Sequence, residues 1–229
     1  MSSKLPQPIS KEEFDKLLAQ AKKDREEYWM PRKEVYKTLG KNIQEYIIAM
    51  ILAYGSGMRI SEIVGLEKKY YYKSVKRNEF GEIMRDQNKK PISEKRLQTC
   101  SIPKLMPDKV GKDFISIIGA KGGKDRSVII PFPLFRKAGI AREEFLNSLP
   151  LETSRSSIQR YVTELGKKVL NKNISIHKFR HGFGTYMLNQ GMNIKQVQML
   201  LGHSNLATTN LYLHASPEEA LAKVKEMQW

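Results

Sequence analysis

One stretch of forty residues decides the fold, Ser175 to His214, which reads SIHKFRHGFGTYMLNQGMNIKQVQMLLGHSNLATTNLYLH. Apolar side chains recur in its first part at steps of three and four residues, which predicts a helix with the leading serine as N-cap and Gly191 at its end. Asn193 and Gln196 have the spacing of a capping box and open a second helix, which Gly202 closes.

Polar side chains in the same stretch stand where a plain helical bundle has no use for them. His177, Arg180 and His181 lie three and four positions apart, so they share one face of the first helix. His203 follows the end of the second helix, and Tyr212 comes nine residues later in a third, short helix. These side chains are therefore the candidate functional residues of this stretch.

The arrangement H-x-x-R, then L-G-H, then T-T-x-x-Y-x-H resembles the C-terminal signature of the tyrosine recombinases, the phage integrase family. Two upstream segments extend the resemblance. Residues 54–66, YGSGMRISEIVGL, are similar to the family's first arginine box, with Arg59 as its catalytic arginine. Residues 120–126, AKGGKDR, are similar to its lysine-bearing β-hairpin, with Lys121 as the catalytic lysine. The resemblance covers most of the chain from about residue 10 onward.

The resemblance implies transesterification of DNA. Tyr212 is expected to attack the phosphodiester and store its energy as a 3′-phosphotyrosine. Arg59 and Arg180 are expected to stabilise the charge of the transition state with bidentate hydrogen bonds. Lys121 is the expected general acid, which protonates the departing 5′ oxygen.

The resemblance also assigns roles to three histidines. His177 is expected to accept the tyrosine proton or to contact the phosphate, His203 to donate a hydrogen bond to the phosphate, and His181 to brace the site. His177 and His181 also have the spacing of a zinc pair, but Lys178 stands where a zinc protease has glutamate and no third ligand is evident. We therefore expect a reaction without metal or nucleotide cofactor.

Charge points independently to a polyanion. The 229 residues carry a net charge of +16, and residues 68–126 hold sixteen Lys and Arg against seven Asp and Glu. A strongly basic protein favours nucleic acid as its partner, although charge alone leaves a merely basic globular protein open. With one cysteine, Cys100, no long apolar segment and no signal peptide, we expect a cytoplasmic, DNA-associated protein.

The sequence predicts an α+β fold, mostly helical, with a small antiparallel sheet that carries the lysine hairpin. Strands are expected at about 70–76, 114–119 and 126–130, where aromatic or β-branched residues lie between turn signals. Helices are expected at about 11–28, 41–54, 59–65, 134–138, 142–148, 156–170, 175–190 and 216–227.

We expect a single catalytic domain over residues 1–229. Arg59 and Lys121 are farther apart than is usual in the family, so residues 70–111 are predicted to form an insertion or an enlarged sheet. The short segment before Arg59 leaves no room for the family's N-terminal core-binding domain, which implies either an excised domain or a naturally short recombinase.

The expected function is site-specific DNA recombination of the integrase or excisionase type, as in mobile elements. A type IB topoisomerase and a DNA-binding relative that has lost catalysis are the alternatives. The expected partners are double-stranded DNA and three further copies in a tetramer on DNA, with a monomer when free and no membrane. The helix at 216–227 either links protomers or packs on its own domain.

Overall fold

A computed structural model describes residues 8–29, 34–119, 125–202, 221 and 224–225. Its helices are α1 (Lys11–Trp29), α2 (Glu34–Gly55), α3 (Ile60–Ile63), α4 (Phe132–Lys137), α5 (Arg142–Asn147), α6 (Arg155–Leu170), α7 (Ile176–Asn189) and α8 (Ile194–Leu201). Its strands are β1 (Leu66–Val75), β2 (Ser93–Ile102), β3 (Phe114–Ile117) and β4 (Arg126–Ile129). About half of the described residues are helical, and the strands form two antiparallel pairs, β1–β2 and β3–β4. The predicted α+β class is confirmed.

Helix α2 is the centre of the fold. Every residue of its segment 47–54 is buried, so the helix is apolar around its whole circumference and needs neighbours on all sides. Helices α1, α4, α6 and α7 supply them. The buried C-terminal part of α2 leads within a few residues to Arg59, so it anchors the segment that carries that arginine.

The predicted helix starts agree well with the structure. At α1, Ser10 and Glu13 form both hydrogen bonds of a capping box, each at 3.2 Å. At α8, the Asn193 side chain accepts from the backbone N–H groups of Lys195 and Gln196, each at 2.9 Å. Ser175 does precede α7, but its side chain makes no capping hydrogen bond.

Two elements differ from the prediction. Helix α2 begins at Glu34 rather than near residue 41, because Gly40, a poor helix former, does not end a helix whose later part is buried. Strand β2 was not predicted at all. Its sequence, SEKRLQTCSI, is polar on both faces and lacks the alternation that reveals a half-buried strand.

Strands β1 and β2 form a long ribbon of ten residue pairs, from Leu66 opposite Ile102 to Val75 opposite Ser93. The ribbon contains much of the segment 70–111, whose status as an insertion stays a prediction. Strands β3 and β4 form the predicted second hairpin. The residues that connect them, 120–124, lie outside the described residues, as does most of the helix expected at 216–227.

Within the described ranges, no helix has both the length and the apolar character that crossing a membrane requires.

Candidate active site

The structure describes four of the seven side chains that the sequence singles out: Arg59, His177, Arg180 and His181. The other three, Lys121, His203 and Tyr212, lie outside the described residues, so their roles stay predictions. The described four come from two segments, the turn after α2 and the first two turns of α7.

Arg59 is fixed by its own local sequence. It is the N-cap of α3, in extended conformation, and its backbone N–H donates to Glu62 Oε2 at 2.7 Å. Its side chain turns back to the same carboxylate, with Nη1 donating to Oε1 at 2.9 Å. The second terminal nitrogen, Nη2, donates to the carbonyl of Gly202 at 3.1 Å. The pattern R-x-x-E therefore holds the guanidinium at the start of the helix, where its side chain keeps 21% exposure.

Arg180 reaches the same place from α7, and it is buried. Its Nη1 donates to the carbonyl of Gly57 at 2.5 Å, and its Nη2 donates to the carbonyl of Leu201. Gly57 has φ +64°, and a Cβ there would lie 2.7 Å from the ring of Phe183. Glycine is therefore required at the turn that offers its carbonyl to Arg180.

Arg126 completes the group, and the sequence reading missed it as a site residue. It is the first residue of β4, and its two terminal nitrogens donate to the two oxygens of Glu62 at 3.0 and 2.8 Å. Its Nε donates to the carbonyl of Leu200 at 3.0 Å. The sequence reading took this arginine only as the last letter of the AKGGKDR motif, because its partner lies 64 positions away in the chain.

We call Arg59, Arg126 and Arg180, together with Glu62, the arginine cluster. The Glu62 side chain is fully buried, at 0% exposure. Burial by itself would raise the pKa of this carboxyl, but the hydrogen bonds and charges of Arg126 and Arg59 outweigh burial and lower the pKa. Two guanidiniums thus share one carboxylate, and the third, Arg180, is held by backbone carbonyls, which leaves a concentrated positive charge.

The end of α8 holds the cluster from the other side. The carbonyls of Leu200, Leu201 and Gly202 each accept a hydrogen bond from a different arginine of the cluster. These last carbonyls of a helix lack helical partners and carry its partial negative charge, so they suit cations. Gly202 has φ +62°, and a Cβ there would lie 2.9 Å from Nη1 of Arg126. The residue next to Gly202 in the sequence is His203.

The electrostatics of Arg180 indicate a site made for an anion. Its burial, followed by the positive charges of Arg59 and Arg126, lowers the pKa of its guanidinium below the ordinary value, and Glu62 opposes only part of this effect. A group whose charged form is disfavoured by neighbouring cations gains most when an anion binds between them. The cluster therefore has the charge and the donors to bind a phosphate.

His177 and His181 lie on α7 before and beside Arg180, and both are exposed. Partial burial of the His177 imidazole, followed by the positive charges of Arg155, His181, Arg180 and Arg59, lowers the pKa of His177. The neutral imidazole is consequently favoured near pH 7, and that is the form able to accept a proton.

The described residues contain no group of three or more His, Cys, Asp or Glu side chains placed to hold a metal ion. The carboxylate and carbonyl oxygens at the cluster already accept hydrogen bonds from its arginines, so the groups that the cluster offers to a ligand are guanidinium N–H donors, which suit an anion rather than a cation.

Comparisons with known proteins show which proteins this chain is similar to. Residues 142–219 match the model of the phage integrase family. The tyrosine recombinase XerA of Pyrococcus furiosus is 27% identical over 219 residues, which cover 91% of this chain and 57% of that protein. This chain therefore spans little more than half the length of that relative.

Solved structures share the fold. A crystal structure of a XerA recombinase aligns with a TM-score of 0.51 and 21% identity, over 99% of this chain and 67% of that one. A XerH site-specific recombinase, solved as a post-cleavage complex with a palindromic difH substrate, aligns with a TM-score of 0.52 and 18% identity, over 99% of this chain and 56% of that one.

Proposed function

We propose that the chain is a tyrosine recombinase of the phage integrase family, whose model matches residues 142–219, and that it cleaves and rejoins double-stranded DNA site-specifically through a 3′-phosphotyrosine intermediate. The observation that carries the proposal is the arginine cluster. Two guanidiniums, from the start of α3 and from β4, share one buried carboxylate, and a third, from α7, is held beside them by backbone carbonyls; this arrangement suits a phosphodiester.

The positions of the arginines suggest a division of labour. Arg126 uses both terminal nitrogens on Glu62 and is the most firmly held, so we assign it to positioning the cluster. Arg59 and Arg180 are assigned to the non-bridging phosphate oxygens, whose charge grows in the transition state. Guanidiniums that are already fixed by protein carbonyls need little reorganisation when that charge develops, and preorganised donors of this kind supply large rate effects.

The remaining roles rest on the resemblance to the family. Tyr212 is the proposed nucleophile, whose phenolic oxygen forms the new bond to phosphorus as the bond to the 5′ oxygen breaks. Lys121 is proposed to protonate that 5′ oxygen, and His203 to donate a hydrogen bond to the phosphate. The position of His203 next to Gly202 in the sequence supports its assignment, since Gly202 accepts from Arg59.

His177 is the proposed acceptor of the tyrosine proton. Support comes from the lowered pKa of its imidazole, which favours the neutral form that can take up a proton. His181, one turn of α7 further on and exposed, is proposed to brace the site rather than to react.

Two further proposals concern partners. Double-stranded DNA is the proposed substrate, in keeping with the net charge of +16 and with a XerH structure that contains its difH substrate. The resemblance implies a tetramer assembled on two DNA sites, and sizing of the chain with and without duplex DNA tests that assembly.

The decisive experiment needs no knowledge of the target sequence. The chain is mixed with supercoiled plasmid in EDTA, the reaction is stopped with SDS, and relaxed DNA and covalently attached protein are measured. We expect an adduct that is lost in Tyr212→Phe. We also expect adduct formation to fall about 10²- to 10³-fold in Arg180→Lys, because a lysine cannot reproduce two fixed, bidentate donors.

Circular dichroism of each variant separates loss of chemistry from loss of fold. An adduct that persists in Tyr212→Phe would show that another residue is the nucleophile. DNA binding without any adduct, in a folded wild-type chain, would favour the DNA-binding relative that has lost catalysis. Relaxation without selectivity for any sequence in a library of sites would favour the topoisomerase reading.

A further inference from the structure

The β1–β2 ribbon has two different faces. Residues that pair across an antiparallel ribbon share a face, so alternate pairs divide it. We define the lysine face as the set of pairs 67–101, 69–99, 71–97, 73–95 and 75–93, all of whose side chains are exposed. It carries Lys69, Lys73 and Lys95 but one acidic residue, Glu67.

Lys73 and Lys95 are direct cross-strand partners on this face. Side chains in that relation have Cβ atoms about 5 Å apart, and like charges there destabilise a sheet. Neither of them, nor Lys69, forms an ion pair with a carboxylate of the described residues. On the opposite face, by contrast, Arg96 Nε donates to Glu94 Oε1 at 2.5 Å. The lysine face carries a net charge of +2 without an ion pair among the described residues, whereas the opposite face, with Lys68, Arg96 and Glu94, carries +1 and holds part of its charge in an ion pair.

Between the lysines lies an exposed apolar pair, Tyr71 opposite Leu97. Tyr71 is 70% exposed and Leu97 is 55% exposed, so neither is there to fill a core. From Lys69 to Lys73 the strand covers about 13 Å, a distance along which duplex DNA presents several phosphates. Cations at this spacing with an aromatic ring among them fit the phosphates and sugars of a nucleic acid.

The far end of the ribbon is ordered by local bonds rather than by a core. The backbone N–H of Lys76 donates to the carbonyl of Ile92, that of Ile92 to Met84 and that of Met84 to Lys76, so the three bonds close a ring. From this ring two similar small hairpins project. In the first, Arg77 donates to the carbonyl of Gly81 at 2.6 Å, and Asn78 Oδ1 accepts from two backbone N–H groups of the turn. Arg85 and Asp86 repeat both features in the second. A preordered arm loses less entropy on binding.

We propose that the β1–β2 ribbon is an arm that lies along duplex DNA with its lysine face against the phosphates. The inference rests on the proposed function for the identity of the polyanion and goes beyond it by assigning the surface. A second copy of this chain is a poor occupant of the lysine face, because it also carries a net charge of +16. A duplex supplies the missing negative charge along the whole face.

The experiment compares two triple variants with the same loss of charge. One is Lys69→Gln with Lys73→Gln and Lys95→Gln. The control is Lys16→Gln with Lys23→Gln and Lys167→Gln, which removes three exposed lysines from α1 and α6. Binding of a plain duplex is measured by fluorescence anisotropy between 50 and 200 mM salt. The slope of log K against log salt should fall by about 2 to 3 in the lysine-face variant, with at least tenfold weaker binding at low salt.

The slope of log K against log salt in the control should differ from that of the wild type by no more than about 0.9, the value of one phosphate contact. Equal losses in both variants would mean that net charge alone matters, and no loss in the lysine-face variant would also overturn the proposal. A lysine-face variant that changes the sedimentation of the DNA-free protein would show that the face binds a second copy.

The plasmid adduct assay on the same samples separates this inference from the proposed function. If the wild-type chain forms the adduct while the lysine-face variant binds duplex normally, the assignment of the ribbon to DNA binding is contradicted and the proposed function is supported. If the lysine-face variant loses duplex binding while the wild-type chain forms no adduct, the assignment of the ribbon to DNA binding is supported and the proposed cleavage reaction is contradicted.

Discussion

The arginine cluster and the lysine face are both basic, but they hold their charge in opposite ways. In the cluster, guanidiniums are largely buried and fixed by one carboxylate and by the carbonyls of Gly57 and of the last turn of α8. On the lysine face, ammonium groups stand exposed on a ribbon, without ion pairs among the described residues, and two of them face each other.

Under the proposed function, this difference separates two tasks, catalysis and DNA binding. Donors held in a dry, fixed geometry act strongly on charge that appears in a transition state, so they affect rate. Exposed lysines release counterions from a duplex and attract it over some distance, so they affect affinity and its salt dependence. DNA binding can be predicted from the net charge of the sequence. The fixed donors that affect the rate depend on partners that are distant in sequence.

The largest expected effect comes from removing the carboxylate of the cluster. In Glu62→Gln, two guanidiniums lose their shared counter-charge in a buried place, and breaking a buried pair in this way costs about 3 to 5 kcal/mol. Urea unfolding followed by circular dichroism measures the loss. Glu94→Gln on the ribbon is the matched control, because its ion pair with Arg96 is solvent-exposed and should contribute at most about 1 kcal/mol. Equal stability of the two variants would contradict the difference between the regions.

A smaller effect should appear in the pH dependence of adduct formation, because His177 is exposed like the ribbon yet feels the charge of the cluster. Partial burial and the cations around it, Arg155, His181, Arg180 and Arg59, disfavour its protonated form. The imidazole therefore stays neutral at pH values below the ordinary pKa of histidine. The rate of adduct formation should fall only below about pH 6.5, by about tenfold for each pH unit.

The rate is measured at saturating DNA. His177→Gln should lower the rate and remove this acidic limb, whereas His181→Gln should keep the limb and move it slightly towards higher pH, since one cation has been removed. A limb centred above pH 6.5, or one that survives in His177→Gln, would show that another group accepts the proton.

The helices could be predicted from the sequence because the residues on their buried faces are apolar and recur every three or four positions. The apolar face of α1 and the capping box at Asn193 follow from local spacing, and the structure confirms both. Strand β2 has no such pattern, because both of its faces meet water along almost its whole length. A ribbon of this kind is determined by pairing with β1, which a single sequence does not show.

The site divides in the same manner. Arg59 and Arg180 were predicted from motifs, and the structure brings them together on the end of α8. Glu62 and Arg126 were missed, although Glu62 follows Arg59 by three residues, the spacing at which a carboxylate reaches back to the backbone N–H of an N-cap residue. The bond from Glu62 to Arg126 spans the whole ribbon segment, so only the fold places the two together.

The smallest expected effect comes from removing one lysine of the lysine face, which should stabilise the ribbon of the free protein but weaken its binding to DNA. Lys73→Gln removes the repulsion between Lys73 and Lys95 and should stabilise the free ribbon by about 0.2 to 1 kcal/mol. Hydrogen exchange of peptides from 66–102 should slow about 1.5- to 5-fold. The same variant should lower the salt slope of duplex binding by about 0.9, the value of one phosphate contact.

Lys68→Gln is the matched control on the opposite face, where residue 68 is paired with Cys100 rather than with a cation. Its ribbon should exchange at the wild-type rate. If Lys73→Gln stabilises the ribbon without weakening DNA binding, the lysine pair only destabilises the ribbon and does not contact DNA. If the variant loses both stability and affinity, Lys73 contributes to the structure of the ribbon. Only the combination of a more stable ribbon and weaker binding indicates a surface whose repulsion is relieved by DNA. The arginine cluster does not share this property, because its guanidiniums are already held by Glu62 and by backbone carbonyls.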